Sequence, residues 1–375
     1  MAIVSVTHLI TTLDVGGAEQ MLVKLLRHTD RGRIHSRVVS LAAAGPLTRE
    51  IESLGVEVTA LNMVPGRISV SAIRRLVALL KSTRPEVLQT WLFHADLVGT
   101  VAGRLAGVPA IYWNVRCAEL DPQDHSRSLF WVLRTLAWWS PSVTGVVVNS
   151  EAGRRVSESL GYHPRRWVMI RNGFELDRFA PSEDARASVR AELRIAPDRR
   201  LVGLIARWHP MKDHATFLRA AGILRRTRGD VEFVLAGRQV SASNPAVQAL
   251  IEANGLAGTV HALGERHDIV RVTASLDVAT CSSYSEAFPN AVGEAMACAV
   301  PCVATDVGDC MEVIGDTGLG VPSRDAEALA AAIGRMLDLP NAEWRDRGRR
   351  ARERVISRYD ICDVAAEYAR LYGGA

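Results

Sequence analysis

The stretch AIYWNV at residues 110–115 is apolar on both sides of an extended chain, and segments with helical spacing surround it. Two similar stretches are SRVVSLA at 36–42 and TGVVVNS at 144–150. Strands of a parallel sheet have this pattern because helices cover both faces of the sheet. The alternation of such strands with helices predicts a doubly wound α/β domain in the first half of the chain.

A second series of strands and helices follows a turn-rich, charged segment at about 161–185. It begins with RLVGLIA at residues 200–206. We therefore predict two Rossmann-like domains facing a cleft, one formed by residues 1–175 and the other by residues 176–356. Ligands of such folds bind outside the carboxyl ends of the strands, so the candidate site residues are sought there.

Composition excludes several classes of protein. A chain of 375 residues with 48% hydrophobic and 23% charged residues can build two cores. Its 45 basic and 41 acidic residues give a net charge of +4, which is too mild for a dedicated nucleic-acid binder. We find no apolar run of about 18–20 residues, and MAIVSVTHLI has no charged n-region and predicts a first strand, so we expect a cytoplasmic location. The scattered cysteines predict no metal site.

Two basic residues follow the strand at 200–206. Arg207 and Lys212 flank a proline-containing turn, where both could converge on a phosphate, the arginine as a bidentate donor and the lysine as a point charge. The alternative is a pair of solvated charges. Lys212 is one of only three lysines in an arginine-rich chain, which favours a functional role.

Two carboxylates bracket a predicted helix start. Glu286 precedes the start and Glu294 lies inside the helix, whose first amides can bind an anion. Carboxylates beside an anion site suit the hydroxyl groups of a sugar or ribose. The alternatives are a charge favoured by the helix dipole at Glu286 and a surface residue at Glu294. The helix start comprises Phe288, Pro289, Asn290 and Ala291.

Adjacent glycines follow the first strand. Gly16 and Gly17 would let the backbone approach a ligand at a helix N-terminus, although an ordinary tight turn fits equally well. The segment is not G-x-G-x-x-G, and the chain contains no P-loop sequence.

In this order and spacing, the motifs resemble the family 4 glycosyltransferases of the GT-B fold over nearly the whole chain. Glu286 and Glu294 have the E-x7-E spacing of that family. The further matches are Gly16-Gly17-Ala18-Glu19, Asn172-Gly173 with Phe179, and Ala304-Thr305-Asp306-Val307-Gly308 with Glu312.

The resemblance implies a retaining enzyme that moves a sugar from a nucleotide-sugar, expected to be UDP-linked, to a glycan or lipid-linked acceptor. Arg207 and Lys212 would hold the diphosphate, Glu286 the donor sugar and Glu294 the ribose, while Gly16 with Gly17 approaches the phosphate. The nucleotide-sugar is a substrate, so no cofactor is expected. The first domain would bind the acceptor, and the final helix, at about 357–375, would cross back onto it.

One position departs from the family pattern. Many members carry a histidine at the end of the strand that matches 109–115, where this chain has Asn114 and then Arg116. Arg116 can hydrogen-bond a hydroxyl group but cannot act as a base, because its pKa is too high. His94, after the strand at 86–91, is a weaker candidate on the acceptor side, with a merely structural role as the alternative.

The expected mechanism follows from charge. Breaking the sugar–phosphate bond places negative charge on the leaving diphosphate, which Arg207, Lys212 and a helix N-terminus would stabilise. These groups would replace a divalent ion, and the chain has no D-x-D motif, so we expect no metal. The resemblance implies that the leaving phosphate oxygen accepts the acceptor's proton.

Other interpretations come from different classes. A retaining glycosidase would need two carboxylates about 5 Å apart but no phosphate clamp. A non-catalytic nucleotide-sugar-binding protein would bind the donor without turnover. The tryptophan-rich segment 129–139 favours a helix packed on the sheet over a helix at a membrane interface, and peripheral contact with the inner membrane stays open.

Overall fold

The computed structural model describes residues 3–64, 69–116 and 127–374. The chain forms two compact units, one of Met1–Gly173 with Ile361–Ala375 and the other of Phe174–Asp360. The sequence-based boundaries at 175/176 and about 357 fall a few residues from these divisions.

The first unit contains parallel strands that alternate with helices. The strands are β1 (Val4–Ile10), β2 (Ile34–Ser40), β3 (Glu57–Ala60), β4 (Val87–Trp91), β5 (Ala110–Val115), β6 (Gly145–Val148) and β7 (Trp167–Met169). The helices are α1 (Gly17–His28), α2 (Thr48–Ser53), α3 (Val70–Thr83), α4 (Phe93–Ala106), α5 (Arg127–Trp139) and α6 (Glu151–Ser159), with a 3₁₀ turn at Ser140–Ser142.

The second unit repeats this plan. Its strands are β8 (Arg200–Ile205), β9 (Val231–Ala236), β10 (Val260–Ala262), β11 (Val278–Cys281), β12 (Cys302–Thr305) and β13 (Leu319–Val321). Its helices are α7 (Glu183–Glu192), α8 (His214–Thr227), α9 (Pro245–Ala253), α10 (Ile269–Ala274), α11 (Asn290–Ala297), α12 (Cys310–Ile314), α13 (Ala326–Leu337) and α14 (Asn341–Tyr359), with a 3₁₀ turn at Pro210–Lys212.

Both sheets confirm the predicted doubly wound fold. Within the described residues, the strand orders are β3-β2-β1-β4-β5-β6-β7 and β10-β9-β8-β11-β12-β13, and the paired strands run parallel. The strand order reverses between β1 and β4 in one unit and between β8 and β11 in the other. The crevice at such a switch point is where open α/β sheets bind ligands.

Each sheet is buried on both faces. Along β1, Val6 joins a core with α1 and α2, whereas Leu9 joins a core with α3, α4 and α5. The second unit is built the same way, since Leu201 and Val202 of β8 contribute to different cores. This two-sided burial explains why the strands are continuously apolar in sequence.

The last helix belongs to the first unit. After the chain leaves the second unit at Asp360, α15 (Ile361–Gly373) packs against α1 and β1. Its residues Tyr368 and Tyr372 are buried beside Trp91 and His8, with ring centroids 5.8–6.2 Å apart. The terminal helix is therefore part of the core of the first unit.

The buried carboxylate of Asp277 links helix α7 to strand β8 in the second unit. Asp277 is fully buried and accepts from Arg186 and Arg190 of α7, each at 2.7 Å. It also accepts from the backbone amide of Leu201 at 2.7 Å. A buried charge is tolerated only when it is paired and hydrogen-bonded in this way.

Sequence analysis missed several short elements. The segment around 161–185, read as turn-rich, contains β7 and the start of α7, and strand β13 and helices α2, α10 and α12 were also not predicted. These elements are three to ten residues long. Periodicity needs a longer window to be recognised. In the described part of the chain, no helix has both the length and the hydropathy needed to cross a membrane.

Candidate active site

Two loops meet at the switch point of the second unit. One follows β8 and carries Arg207 and the 3₁₀ turn Pro210–Lys212; the other follows β11. The backbone amide of Tyr284 donates to the carbonyl of Met211 at 3.0 Å, and the hydroxyl of Ser282 donates to the carbonyl of Lys212 at 2.9 Å. These bonds fix the lysine against the second loop.

The Lys212 ammonium and the Glu286 carboxylate form an ion pair across these loops. Lys212 Nζ lies 2.5 Å from Glu286 Oε1, and the Ser283 hydroxyl donates to the same oxygen at 2.7 Å. The side chains are 22% and 12% exposed, so the pair is largely shielded yet reachable from solvent. Cys281 Sγ also lies 3.8 Å from this oxygen.

The electrostatics keep Lys212 charged. Burial disfavours its ammonium, but the charge and hydrogen bond of Glu286 outweigh that cost, and the pKa of Lys212 lies above its usual value. The Arg207 charge acts in the opposite direction on this pKa. Arg207 itself is exposed. The two predicted clamp residues therefore lie on the same loop, which follows β8.

A third loop supports the backbone around Glu286. The Thr305 hydroxyl, at the end of β12, donates to the carbonyl of Ser283 at 2.5 Å. Gly308 has a φ of 56°, and a Cβ there would lie 1.8 Å from the Glu286 carbonyl oxygen. Any larger residue would both adopt an unfavourable conformation and displace this loop. The 304–308 motif thus acts on the site through main-chain contacts.

Helix α11 begins beside these loops, with Pro289 as its N-cap. The Phe288 ring is buried and stacks on Phe174 with centroids 6.1 Å apart, so only its main chain is available to a ligand. Asn290 and Ala291 form the partly buried first turn, whose amides point along the helix axis. Glu294 lies one turn further along.

Glu294 is partly buried on α11, and its surroundings differ from those of Glu286. Burial and the nearby Glu294 charge raise the pKa of the Cys298 thiol to about 12. The carboxylate therefore faces the side of α11 that carries Cys298, one turn along. The structure thus places the two glutamates in separate environments, in agreement with the sequence-based expectation that one lies in the loop and the other in the helix.

In the first unit, the paired glycines start α1. Gly16 is the N-cap and Gly17 the first helical residue. A Cβ on Gly16 would lie 2.3 Å from Glu19 Oε2, so the glycine accommodates a carboxylate that folds back over the helix start. The Thr12 hydroxyl donates to Glu19 Oε1 at 3.3 Å. The phosphate role of Gly16 and Gly17 stays a prediction.

Asn114 and Arg116, predicted on the acceptor side, lie in a buried network. Both donate to the Tyr368 hydroxyl at 2.9 Å, and Arg116 also bonds Asn172. The Arg116 guanidinium stacks 4.8 Å from the centre of the Trp91 ring. With Arg116 only 9% exposed, these contacts join the end of β5 to α15, and the predicted contact with an acceptor hydroxyl stays a prediction.

His94 lies at the end of β4 beside a strained residue. Leu92 has a φ of 73° and a ψ of 154°, a region normally restricted to glycine that costs a leucine about 1–3 kcal/mol. His94 follows in the first turn of α4, and burial lowers its pKa. The imidazole is therefore neutral at neutral pH. Sequence reasoning missed Leu92 because leucine gives no signal for such a turn.

The described ranges contain no group of three or more histidine, cysteine, aspartate or glutamate residues that could hold a metal ion.

The chain matches two models of glycosyltransferase families, one in each half of the sequence. A model described as Glycosyltransferase Family 4 matches residues 15–178, and one described as Glycosyl transferases group 1 matches residues 199–339. The two matches together span most of both units. The chain belongs to the family 4 glycosyltransferases and has the GT-B fold.

The individual relatives have low sequence identity to this chain. EpsF of Bacillus subtilis, provisionally named a glycosyltransferase, is 26% identical over 330 residues, 85% of this chain and 83% of EpsF. The D-inositol 3-phosphate glycosyltransferase of Mycobacterium sp. (strain KMS) is 33% identical over 205 residues, 53% of this chain and 46% of the relative. HepE of Anabaena, solved with UDP and glucose, has a TM-score of 0.85 at 20% identity and shares the fold over 99% of this chain and 100% of HepE.

The Tyr368 network yields a prediction about stability. Tyr368→Phe removes the acceptor of two buried donors, which should lower the free energy of unfolding by about 1–3 kcal/mol. Tyr372→Phe is the matched control, because that hydroxyl only donates to Gln89 Oε1 at 3.3 Å among the described bonds. Urea unfolding of both variants measures the difference. Equal stability of the two variants would show that the network contributes little.

Proposed function

We propose that this protein is a retaining glycosyltransferase that moves a sugar from a UDP-linked donor to a glycan or lipid-linked acceptor. The reaction would serve surface polysaccharide or glycolipid synthesis in the cytoplasm. The Lys212–Glu286 pair beside the start of α11 carries this proposal. The binding of UDP and glucose by HepE, which shares the fold, supports the choice of donor.

We assign the diphosphate to Arg207 and Lys212. An ammonium group has three donors, so Lys212 can hold Glu286 and still donate to a phosphate. Arg207 is exposed at the same strand end and can offer two parallel N–H groups. Negative charge develops on the diphosphate as the sugar leaves, and positioned cations in a shielded site stabilise it without reorganisation. This arrangement supports a reaction that needs no metal.

We assign the transferred sugar to Glu286 and the ribose to Glu294. The described contacts of the Glu286 side chain all involve Oε1, which leaves Oε2 to accept from a sugar hydroxyl. Glu286 lies in the loop before α11 and Glu294 lies one turn inside that helix, so we give the two carboxylates different parts of the donor. The first unit would bind the acceptor, with neutral His94 at the end of β4 as a candidate contact.

The activity itself can be tested with the full-length chain. UDP-sugars are incubated with glycan and lipid-linked acceptors in excess EDTA, and released UDP is measured. We expect UDP release that depends on acceptor, and a product whose NMR anomeric coupling matches that of the donor. Inversion of the anomeric centre would contradict retention, and activity lost in EDTA but restored by magnesium would contradict the metal-free mechanism. No UDP release from any donor would overturn the proposal.

The phosphate clamp gives a second prediction. Arg207→Ala and Lys212→Ala should each reduce turnover by roughly 10²-fold or more, because each removes a group that stabilises developing charge. Arg226→Ala, at an exposed arginine on α8 of the same unit, is the matched control and should keep the wild-type rate. Initial rates at saturating donor decide the outcome. Near-wild-type rates in both site variants would remove the phosphate assignment.

Variants of Glu286 and Glu294 should differ in their affinity for UDP. Glu294→Gln should weaken the binding of free UDP by about 1.5–3 kcal/mol, the value of a lost charged hydrogen bond. Glu286→Gln should leave UDP affinity nearly unchanged while reducing turnover and discrimination among donor sugars. Calorimetric titration with UDP makes the comparison. Equal losses of affinity, or a loss only in Glu286→Gln, would reverse or abolish the assignments.

A further inference from the structure

Helix α5 exposes two tryptophans on one side. Trp131 is 72% exposed and Trp138 is 76% exposed, whereas Trp91 and Trp113 are completely buried. The two exposed rings are seven residues apart, which is two helical turns, so they project from the same side of α5. An exposed tryptophan is a large apolar surface in contact with water. Two on one helix side indicate a surface that meets a partner.

The opposite side of α5 already has a packing role. Leu129, Leu133 and Leu136 are buried in the core that α3, α4 and α5 form on one face of the sheet. The packed helix expected from the sequence is therefore correct for the leucines and for partly buried Trp139, and wrong for Trp131 and Trp138. Packing of α5 onto the sheet does not explain Trp131 and Trp138.

The surface around these tryptophans is cationic. Helices α3, α4 and α5 pack side by side, and their outward surface is hereafter called the α3–α5 face. Asp96 is the one acidic residue in these three helices, and it is fully buried, with Oδ1 accepting from Thr90 at 2.5 Å. Among the side chains that the structure describes, the exposed cations of the face are Arg74, Arg75, Lys81, Arg104 and Arg134.

The charge is concentrated on this face of the sheet. The helices on the other face, α1, α2 and α15, carry both signs, with Glu50 pairing with Arg27 as one example. On the α3–α5 face, Arg75 and Arg104 donate to main-chain carbonyls, which orients them without neutralising them. Helix α6, which follows β6, also carries both signs, and there Glu158 pairs with Arg154.

We propose that the α3–α5 face docks on an anionic lipid bilayer, with Trp131 and Trp138 at the boundary between headgroups and acyl chains. Tryptophan favours that boundary because its ring is apolar and its N–H remains hydrogen-bonded. The exposed arginines and lysine would meet the negatively charged headgroups. Leu105, 60% exposed next to Arg104, adds apolar area.

The composition of the face favours a bilayer over a nucleic acid or an acidic protein. Binding to a polyanion through phosphate or carboxylate contacts needs the cations but not two outward tryptophans two turns apart. A lipid surface uses both, because the rings enter the interface while the charges stay at the headgroups. Contact of this kind is peripheral, in keeping with the absence of a helix long and apolar enough to span a bilayer among the described residues.

The test is flotation of the full-length protein with vesicles of phosphatidylcholine alone or with 30% phosphatidylglycerol. We expect binding to the anionic vesicles that weakens with added salt, and little binding to the neutral ones. The double variant Trp131→Ala/Trp138→Ala should reduce the partition coefficient by about tenfold or more. Both side chains are exposed, so the thermal unfolding temperature should stay unchanged.

A charge variant and its control distinguish binding through the α3–α5 face from attraction caused by the net charge of the whole protein. Arg74→Gln/Lys81→Gln/Arg134→Gln should weaken partitioning by roughly fivefold per charge removed. Arg226→Gln/Arg335→Gln/Arg345→Gln removes the same charge from exposed positions of the second unit and should partition like the wild type. Equal effects of the two triple variants would overturn the proposal.

Tryptophan fluorescence gives an independent readout. Brominated lipids should quench the wild-type protein more strongly than the Trp131→Ala/Trp138→Ala variant, because only rings inside the acyl boundary meet bromine. Absence of flotation with anionic vesicles at low salt would overturn the proposal. Tight binding to a single-stranded oligonucleotide that ignores the tryptophan variant, without flotation, would assign the face to polyanions instead.

Discussion

Parallel strands cannot be joined by tight hairpins, and this constraint organises both units. Each connection must cross the sheet through a helix, so all strands present their carboxyl ends at the same edge. Where the strand order reverses, two crossovers diverge and leave a crevice. In the second unit that crevice brings Lys212 after β8 to Glu286 after β11, although 74 residues separate them in the chain. The strand order therefore brings the residues of the site together, and their side chains then determine its chemistry.

The balance of charges determines which kind of ligand suits the crevice of the second unit. A lone lysine in a shielded position would lose its proton more readily, since burial disfavours the charged form. Glu286 reverses this tendency, and Ser283 fixes the carboxylate that does so. The pair is close to neutral by itself, so exposed Arg207 adds the net positive charge that an anionic ligand would meet. Main-chain contacts through Thr305 and Gly308 keep these groups in place.

The two faces of the first sheet are covered by different helices, whose outer surfaces also differ. One face is closed by α15, which brings Tyr368 to Asn114 and Arg116 and so makes the chain terminus part of the core. The other face is covered by α3, α4 and α5, whose outer surface carries cations and two exposed tryptophans. Residues that would look alike in a sequence, such as Trp91 and Trp138, therefore have opposite environments. Burial depends on which face of a helix or strand has a neighbour.

The sequence by itself determined the fold class, the position of most strands and the candidate residues Arg207, Lys212, Glu286 and Glu294. It could do so because strand burial imposes a continuous apolar pattern and because the loops that follow the strands at a switch point line the crevice. Glu294, inside α11, was identified from its E-x7-E spacing to Glu286. Only the tertiary structure decided that Arg116 bonds Tyr368, 252 residues away, and that Leu92 adopts a conformation that leucine disfavours. It also decided that Trp131 and Trp138 of α5 face outward. Periodicity within one segment records that a side is apolar, but contacts between distant segments determine what covers that side.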